Sequence, residues 1–203
     1  MISHLGAMVS TVAGGLIACL TYVGWSLAAK LLVERAVDQT LATTSFAHAP
    51  HFSVPTPFNT LLWRIVVMTP DGYLEGERSL IADRGPIRFR AYRSDRTALA
   101  EVAAQPDVAR LRWFTSGFIK ADMINTALSG DVLVLTDLRM GSEPDYFFRY
   151  AVARRVDGHW QPLPPTRVAP ALNSGATLAA VWRRIWSEPV GSAPANADNG
   201  TMR

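Results

Sequence analysis

The side chains with the greatest chemical potential in this 203-residue sequence are Asp137, Arg139, Glu143, Asp145 and Arg149, five charged groups within thirteen positions. If 132–138 is a strand, Asp137 and Arg139 project to one side of it, and Arg149 sits across a hairpin from them. A carboxylate held by two guanidiniums could bind a phosphate or carboxylate. An ion-pair network that pins the hairpin explains the same residues, so both readings stand. His48 and His51 are the only histidines close in sequence. Two imidazoles could share a metal, yet a site needs three or four converging ligands, and exposed loop residues are the simpler reading. There is no G-x-S-x-G elbow, P-loop, H-E-x-x-H helix or dinucleotide-binding glycine pattern.

The elements that must position these groups begin with a membrane anchor. Hydrophobic residues make up 49% of the chain and charged ones 18%, and the apolar excess is concentrated in the first thirty positions. No charged side chain occurs from Leu5 to Ala29. As a helix, a run of about 25 residues is about 37 Å long, enough to cross a hydrocarbon core of about 30 Å. Tyr22 and Trp25 fall toward its far end, with Lys30 and Arg35 just beyond. No Lys or Arg precedes the run, so the positive-inside rule puts the following domain in the cytoplasm. A cleaved signal peptide would need a basic start and a shorter apolar core. Gly6, Ser10, Gly14 and Ala18 recur every four residues, a face on which another transmembrane helix or a second copy could pack, although small residues are common in membrane helices anyway. Cys19 is the only cysteine, which excludes an intrachain disulfide. The net charge of +3 is scattered and makes no nucleic-acid footprint.

The remainder reads as one α+β unit. Residues 1–42 form the anchor and its helical extension, and 43–57, with Pro50, Pro55 and Pro57, an extended connection. Residues 58–188 form the domain, and 189–203 read as a disordered tail. Strands are expected at 59–69 and 73–81 about an Asp71-Gly72 turn, then at 87–93, 132–138 and 146–156. Helices are expected at 95–105 and 107–115, divided at Pro106, and around Leu178–Trp186. The strands make a mainly antiparallel sheet with helices on one face. Trp63, Trp113, Trp182 and Trp186 fit apolar faces of these elements and are expected in the core. Arg88, Arg90, Arg93 and Arg96 form the densest basic stretch, read as a solvated sheet face.

Several segments carry a resemblance: Pro55-Thr-Pro-Phe-Asn-Thr-Leu-Leu-Trp-Arg64, Asp71-Gly-Tyr-Leu-Glu-Gly76, Trp113-Phe-Thr-Ser-Gly-Phe118, Thr136-Asp-Leu-Arg-Met-Gly141 and Phe148-Arg149. In that order they resemble the C-terminal part of the bacterial inner-membrane, metal-dependent hydrolase family (YdjM-like, LexA-binding). The resemblance spans roughly Thr21 to Pro165. It implies a hydrolase of the bacterial inner membrane that uses a divalent metal, with several membrane helices before this domain. The family's histidine motif belongs to that membrane portion, and no residue here matches its metal ligands. The chain is therefore expected to be the C-terminal portion of such an enzyme, inactive by itself, or else a non-catalytic membrane-tethered interaction domain. If the domain shapes a site, the candidates are Asn59, Arg64, Asp137, Arg139 and Arg149, with the arginines holding an anionic group and Asp137 orienting them.

Overall fold

The computed structural model describes residues 2–126, 130–169 and 174–189, with side chains for 12–125, 130–169 and 178–189. All but the first residue of the expected tail lies outside this range, as do the side chains of Gly6 and Ser10.

Helix α1 (Ile2–Leu41) is unbroken, and its stretch from Val12 is long and apolar enough to cross a membrane. Its two halves meet different surroundings. Val12, Leu16, Leu20 and Val23 are exposed, whereas Ala29, Val33, Val37 and Leu41 are buried, one every four residues on one face. Burying each of the three larger side chains contributes roughly 1.5–3 kcal/mol. The last third of α1 is thus part of the folded unit, not only an extension leading to it.

Among the described residues the fold is α+β with antiparallel pairing throughout, and the strands form two four-stranded sheets and a two-stranded ribbon. The first sheet is β1 (His51–Pro55), β2 (Leu62–Thr69), β3 (Gly72–Ser79) and β4 (Phe89–Arg93), in chain order. Trp63, Ile65, Val67 and Leu74 point toward α1 and, with Ile87, enclose its buried stripe. The opposite face carries Arg64, Val66, Met68, Tyr73 and Glu75. The β2–β3 loop is Pro70–Asp71, because Thr69 already pairs with Gly72. Glycine is needed at 72 for close approach, since a Cβ there would lie 2.0 Å from the Tyr92 carbonyl oxygen of β4.

Helices α2 (Arg96–Glu101) and α3 (Pro106–Phe114) connect the sheets. Asp95 caps α2 by accepting from the Ala98 amide at 2.8 Å, and Pro106 starts α3, where a missing N–H costs nothing. The second sheet has the order β10-β9-β6-β5, from β5 (Ile119–Thr126), β6 (Gly130–Asp137), β9 (Arg149–Val156) and β10 (His159–Arg167). Ala98, Leu99, Val102 and Val108 pack onto its Ile119, Ala121, Leu133, Leu135 and Val152. The β6–β9 connection folds into a ribbon of β7 (Gly141–Ser142) and β8 (Asp145–Tyr146), with a cis Glu143–Pro144 bond between them.

Helix α4 (Ser174–Trp186) returns to the first sheet, where buried Ile185 accepts a 2.6 Å hydrogen bond from Ser79 Oγ through its carbonyl. Arg184 reaches Asp83 at 2.5 Å. Of the four tryptophans expected in the core only Trp63 is there. Trp113 is 80% exposed and Trp182 63% exposed, and Trp186 is also exposed. Helical spacing marks an apolar face but not whether another element covers it.

Candidate functional site

The two sheets meet across a buried polar cluster. Arg64, 4% exposed, projects from β2 away from α1. Its guanidinium donates to the Leu138 carbonyl at 2.8 Å, to Glu75 Oε2 at 2.7 Å and to Tyr146 Oη at 2.9 Å. Tyr146 donates to the same Glu75 oxygen at 2.7 Å, and its hydroxyl lies 3.2 Å from that of Tyr73. Tyr73 donates to Glu143 Oε2 at 3.0 Å, and Lys120 donates to Glu143 Oε1 at 2.8 Å and pairs with Asp122 at 3.1 Å. The chain of contacts thus runs from β2 and β3 through the ribbon to β5. Apolar side chains surround it, with Val66, Met68, Tyr73, Leu138 and Tyr146 forming one core cluster and Phe52 and Phe118 packing edge to face beside it.

The electrostatics follow from burial and pairing. Burial works against the Arg64 cation, but Glu75 outweighs it and holds the guanidinium above its ordinary range. Burial pushes both tyrosine hydroxyls well above theirs, with the neighbouring Tyr146 and Glu143 adding to the effect at Tyr73. Lys120 is raised as well, because its hydrogen bond to Glu143 overcomes the burial that would lower it. Asp122 is raised by burial, against the opposing attraction of Lys120. Most polar atoms of the cluster are taken by protein partners; Arg64 Nε is buried without one.

A second group lies at the end of β6. Asp137, 5% exposed, accepts from the Arg139 amide at 2.9 Å and from its guanidinium at 3.0 and 2.8 Å. That guanidinium stands 4.9 Å from the centre of the Phe114 ring. Beneath the pair, α3 and the second sheet enclose a cavity of about 180 Å³ lined by Leu111, Phe114, Thr115, Ile119, Leu135, Asp137, Phe148 and Tyr150. A third group fixes α1 to β1. Lys30 donates to the Ser53 carbonyl at 2.8 Å and pairs with Glu34 at 2.7 Å, while Ser53 Oγ donates to Glu34 at 2.6 Å. His51 Nε2 lies 3.1 Å from the other Glu34 oxygen. This is not a nucleophile arrangement, because Ser53 is aimed at a carboxylate and not at the imidazole that would take its proton.

The five candidate residues are distributed over distinct settings. Arg64 lies in the buried cluster, and Asp137 and Arg139 pair beside the cavity. Arg149 is opposite Thr136 in the β6–β9 ladder, so it faces away from Asp137. Asn59 shapes the loop before β2: its side-chain oxygen accepts from the Leu61 and Leu62 amides at 3.0 and 2.8 Å, and its amide donates to Thr56. His51 is engaged with Glu34, whereas His48 is exposed beside a shallow hollow formed by residues 44–50 and 68–70. Among the described residues no group of three or more His, Cys, Asp or Glu side chains could hold a metal ion. Gly14 and Ala18 lie on the exposed part of α1. Tyr73, Glu75, Lys120 and Tyr146 form the buried cluster with Arg64, yet their local sequence offers only the alternation of a strand with one polar face. No family model, no curated protein and no solved structure matches the chain.

Proposed function

We propose that this chain is the membrane-proximal, C-terminal portion of a metal-dependent hydrolase of the YdjM-like type, held on the cytoplasmic face of a bacterial inner membrane. Its contribution is to hold and position, and the metal chemistry belongs to membrane helices of the family. The observation that carries the tethering is α1, whose exposed apolar stretch continues without a break into a stripe buried in the folded unit. A tether of this kind keeps the domain close to the bilayer surface. Lys30 and Arg35 follow the uncharged run, which supports the cytoplasmic orientation.

Two features support the link to the hydrolase family and the positioning role within it. The segments that carry the resemblance lie far apart in sequence, yet Arg64, Glu75, Phe118 and Leu138 from four of them converge on the cluster between the sheets. The charged groups there are paired with one another, as expected of a clamp that joins two sheets. Metal titration of the purified full chain in detergent tests the role, together with an ester and phosphoester panel assayed with Mn²⁺ or Zn²⁺. No saturable metal binding and no metal-dependent turnover is expected of this chain. Stoichiometric binding coupled to turnover would place the chemistry here and defeat the positioning reading.

A further inference from the structure

The end of the first sheet at which α1 departs carries a group of exposed apolar side chains that the fold leaves uncovered. Trp25 Nε1 in α1 donates to Thr60 Oγ1 at 2.9 Å, which sets the loop before β2 level with the aromatic end of the uncharged run. Phe58 stands at the tip of that loop, 94% exposed and held at φ 59°. The same end of the sheet holds the close of β3, since Leu62 is paired with Ser79. Ser79 binds the Ile185 carbonyl and so brings the C-terminal turn of α4 to this end as well. There Ile81, Trp182 and Trp186 are exposed, with the two indoles in edge-to-face contact at 5.8 Å.

The chemistry of this rim is that of a bilayer interface. Tryptophan prefers the headgroup level because its ring is apolar and its N–H polar. Exposed Arg84, Arg88 and Arg183 accompany these residues; Arg184 is shared between Asp83 and the exposed Glu77, and Glu188 is a further exposed acidic side chain nearby. Basic side chains near a membrane surface are attracted by anionic headgroups. A lone exposed aromatic needs no explanation, but three elements exposing aromatic or aliphatic groups at the one end where a membrane helix leaves do.

We propose that this rim, formed by the Phe58 loop, the β3 end with Ile81 and the tryptophan flank of α4, is a second membrane contact that rests in the headgroup region of the leaflet crossed by α1. The proposal rests on α1 being a membrane anchor. With the rim seated, the domain touches the bilayer along one edge and cannot swing about α1.

The test uses the full chain, one copy per nanodisc, in phosphatidylcholine with phosphatidylglycerol. An environment-sensitive fluorophore is attached at F58C or W182C in a C19S background, with I81C as a second probe of the rim if W182C fails to fold. Asp71→Cys in the same background is the control, because the eight residues of β2 put that turn about 23 Å from the rim. A blue shift in emission at 58 and 182, with quenching by lipids spin-labelled near the headgroup and neither effect at 71, is the expected result. Emission at 58 and 182 that matches position 71 overturns the proposal, and so does a shift that arises only when two chains share a disc, which gives the rim to a second copy. The native Cys19, labelled separately and exposed to lipids spin-labelled deep in the chain, reports the anchor itself. Quenching at Cys19 without quenching at the rim rejects the second contact alone, whereas no quenching at Cys19 rejects the anchor as well.

Discussion

Replacing Arg64 with methionine removes the cation that three groups in the inter-sheet cluster share. Glu75 loses its charged partner, while the Leu138 carbonyl and the Tyr146 hydroxyl each lose a donor. Arg64 is 4% exposed, so water cannot replace these bonds without opening the sheets. Removing one member of a buried ion pair costs about 3–5 kcal/mol, mostly because the remaining charge is stranded. For a unit of this size each kcal/mol lowers Tm by about 2–4 °C, so the variant is expected to melt about 6–20 °C below the parent. Near-ultraviolet circular dichroism in detergent is the assay, since Tyr73, Tyr92 and Tyr146 lie at or beside the cluster. The double variant R64M/E75Q no longer strands a charge and is expected to recover most of the loss. If R64M melts like a neutral surface substitution, within about 0.5 kcal/mol of the parent, the cluster does not hold the sheets together and the reasoning fails.

Alkaline pH should loosen the same cluster. Tyr73 and Tyr146 titrate near 10.0 in the unfolded chain and higher in the folded one, so above pH 10 the unfolded state releases protons that the native state keeps, and stability falls as pH rises. At pH 11 the two together should cost about 3 kcal/mol, at 1.36 kcal/mol per unit for each group. Lys120 has the same sign: its folded value lies above 10.5, so its contribution is whole below that pH and is lost as pH rises through the folded value. Spectrophotometric titration checks this: two of the five tyrosines should resist ionisation until the fold opens. Asp137→Asn should cost only about 1 kcal/mol, because Arg139 is partly exposed and water can replace much of the pairing. Its clearer effect should be on a fluorine probe at Phe114, whose resonance should shift as the guanidinium leaves the ring.

The sequence showed the elements that local chemistry dictates. The β2–β3 hairpin was legible from its alternation and turn residues, although Gly72 serves close approach to β4 and the turn itself is Pro70–Asp71. Pro106 marked the start of α3, and the uncharged run marked the exposed part of α1. Strand β5 is absent from the expected strands although Ile119, Ala121 and Met123 alternate with Lys120 and Asp122 in a period-two pattern. Strand β10 was hidden by Pro162, Pro164 and Pro165, which an edge strand tolerates because one side of its ladder has no partner. The buried cluster was the least legible part. In the sequence Arg64, Tyr73 and Glu75 form the polar side of a half-buried hairpin. Only the ribbon at 141–146 and the edge strand β5, brought over that side, turn it inward. Pairings between residues 70 to 82 positions apart leave no local trace.

Accessibility of Cys19 tests most directly whether α1 spans the bilayer and holds the domain on its cytoplasmic face. Cys19 lies within the exposed apolar stretch of α1, and Asp71 lies in the β2–β3 turn. A membrane-impermeant maleimide is applied to sealed right-side-out and inverted inner-membrane vesicles carrying either the native chain or the C19S/D71C variant. Cys19 is expected to react in neither preparation until detergent is added, and position 71 only in inverted vesicles. Labelling of Cys19 as fast as position 71 would show that α1 does not cross the bilayer, and labelling of position 71 only in right-side-out vesicles would put the domain on the opposite face.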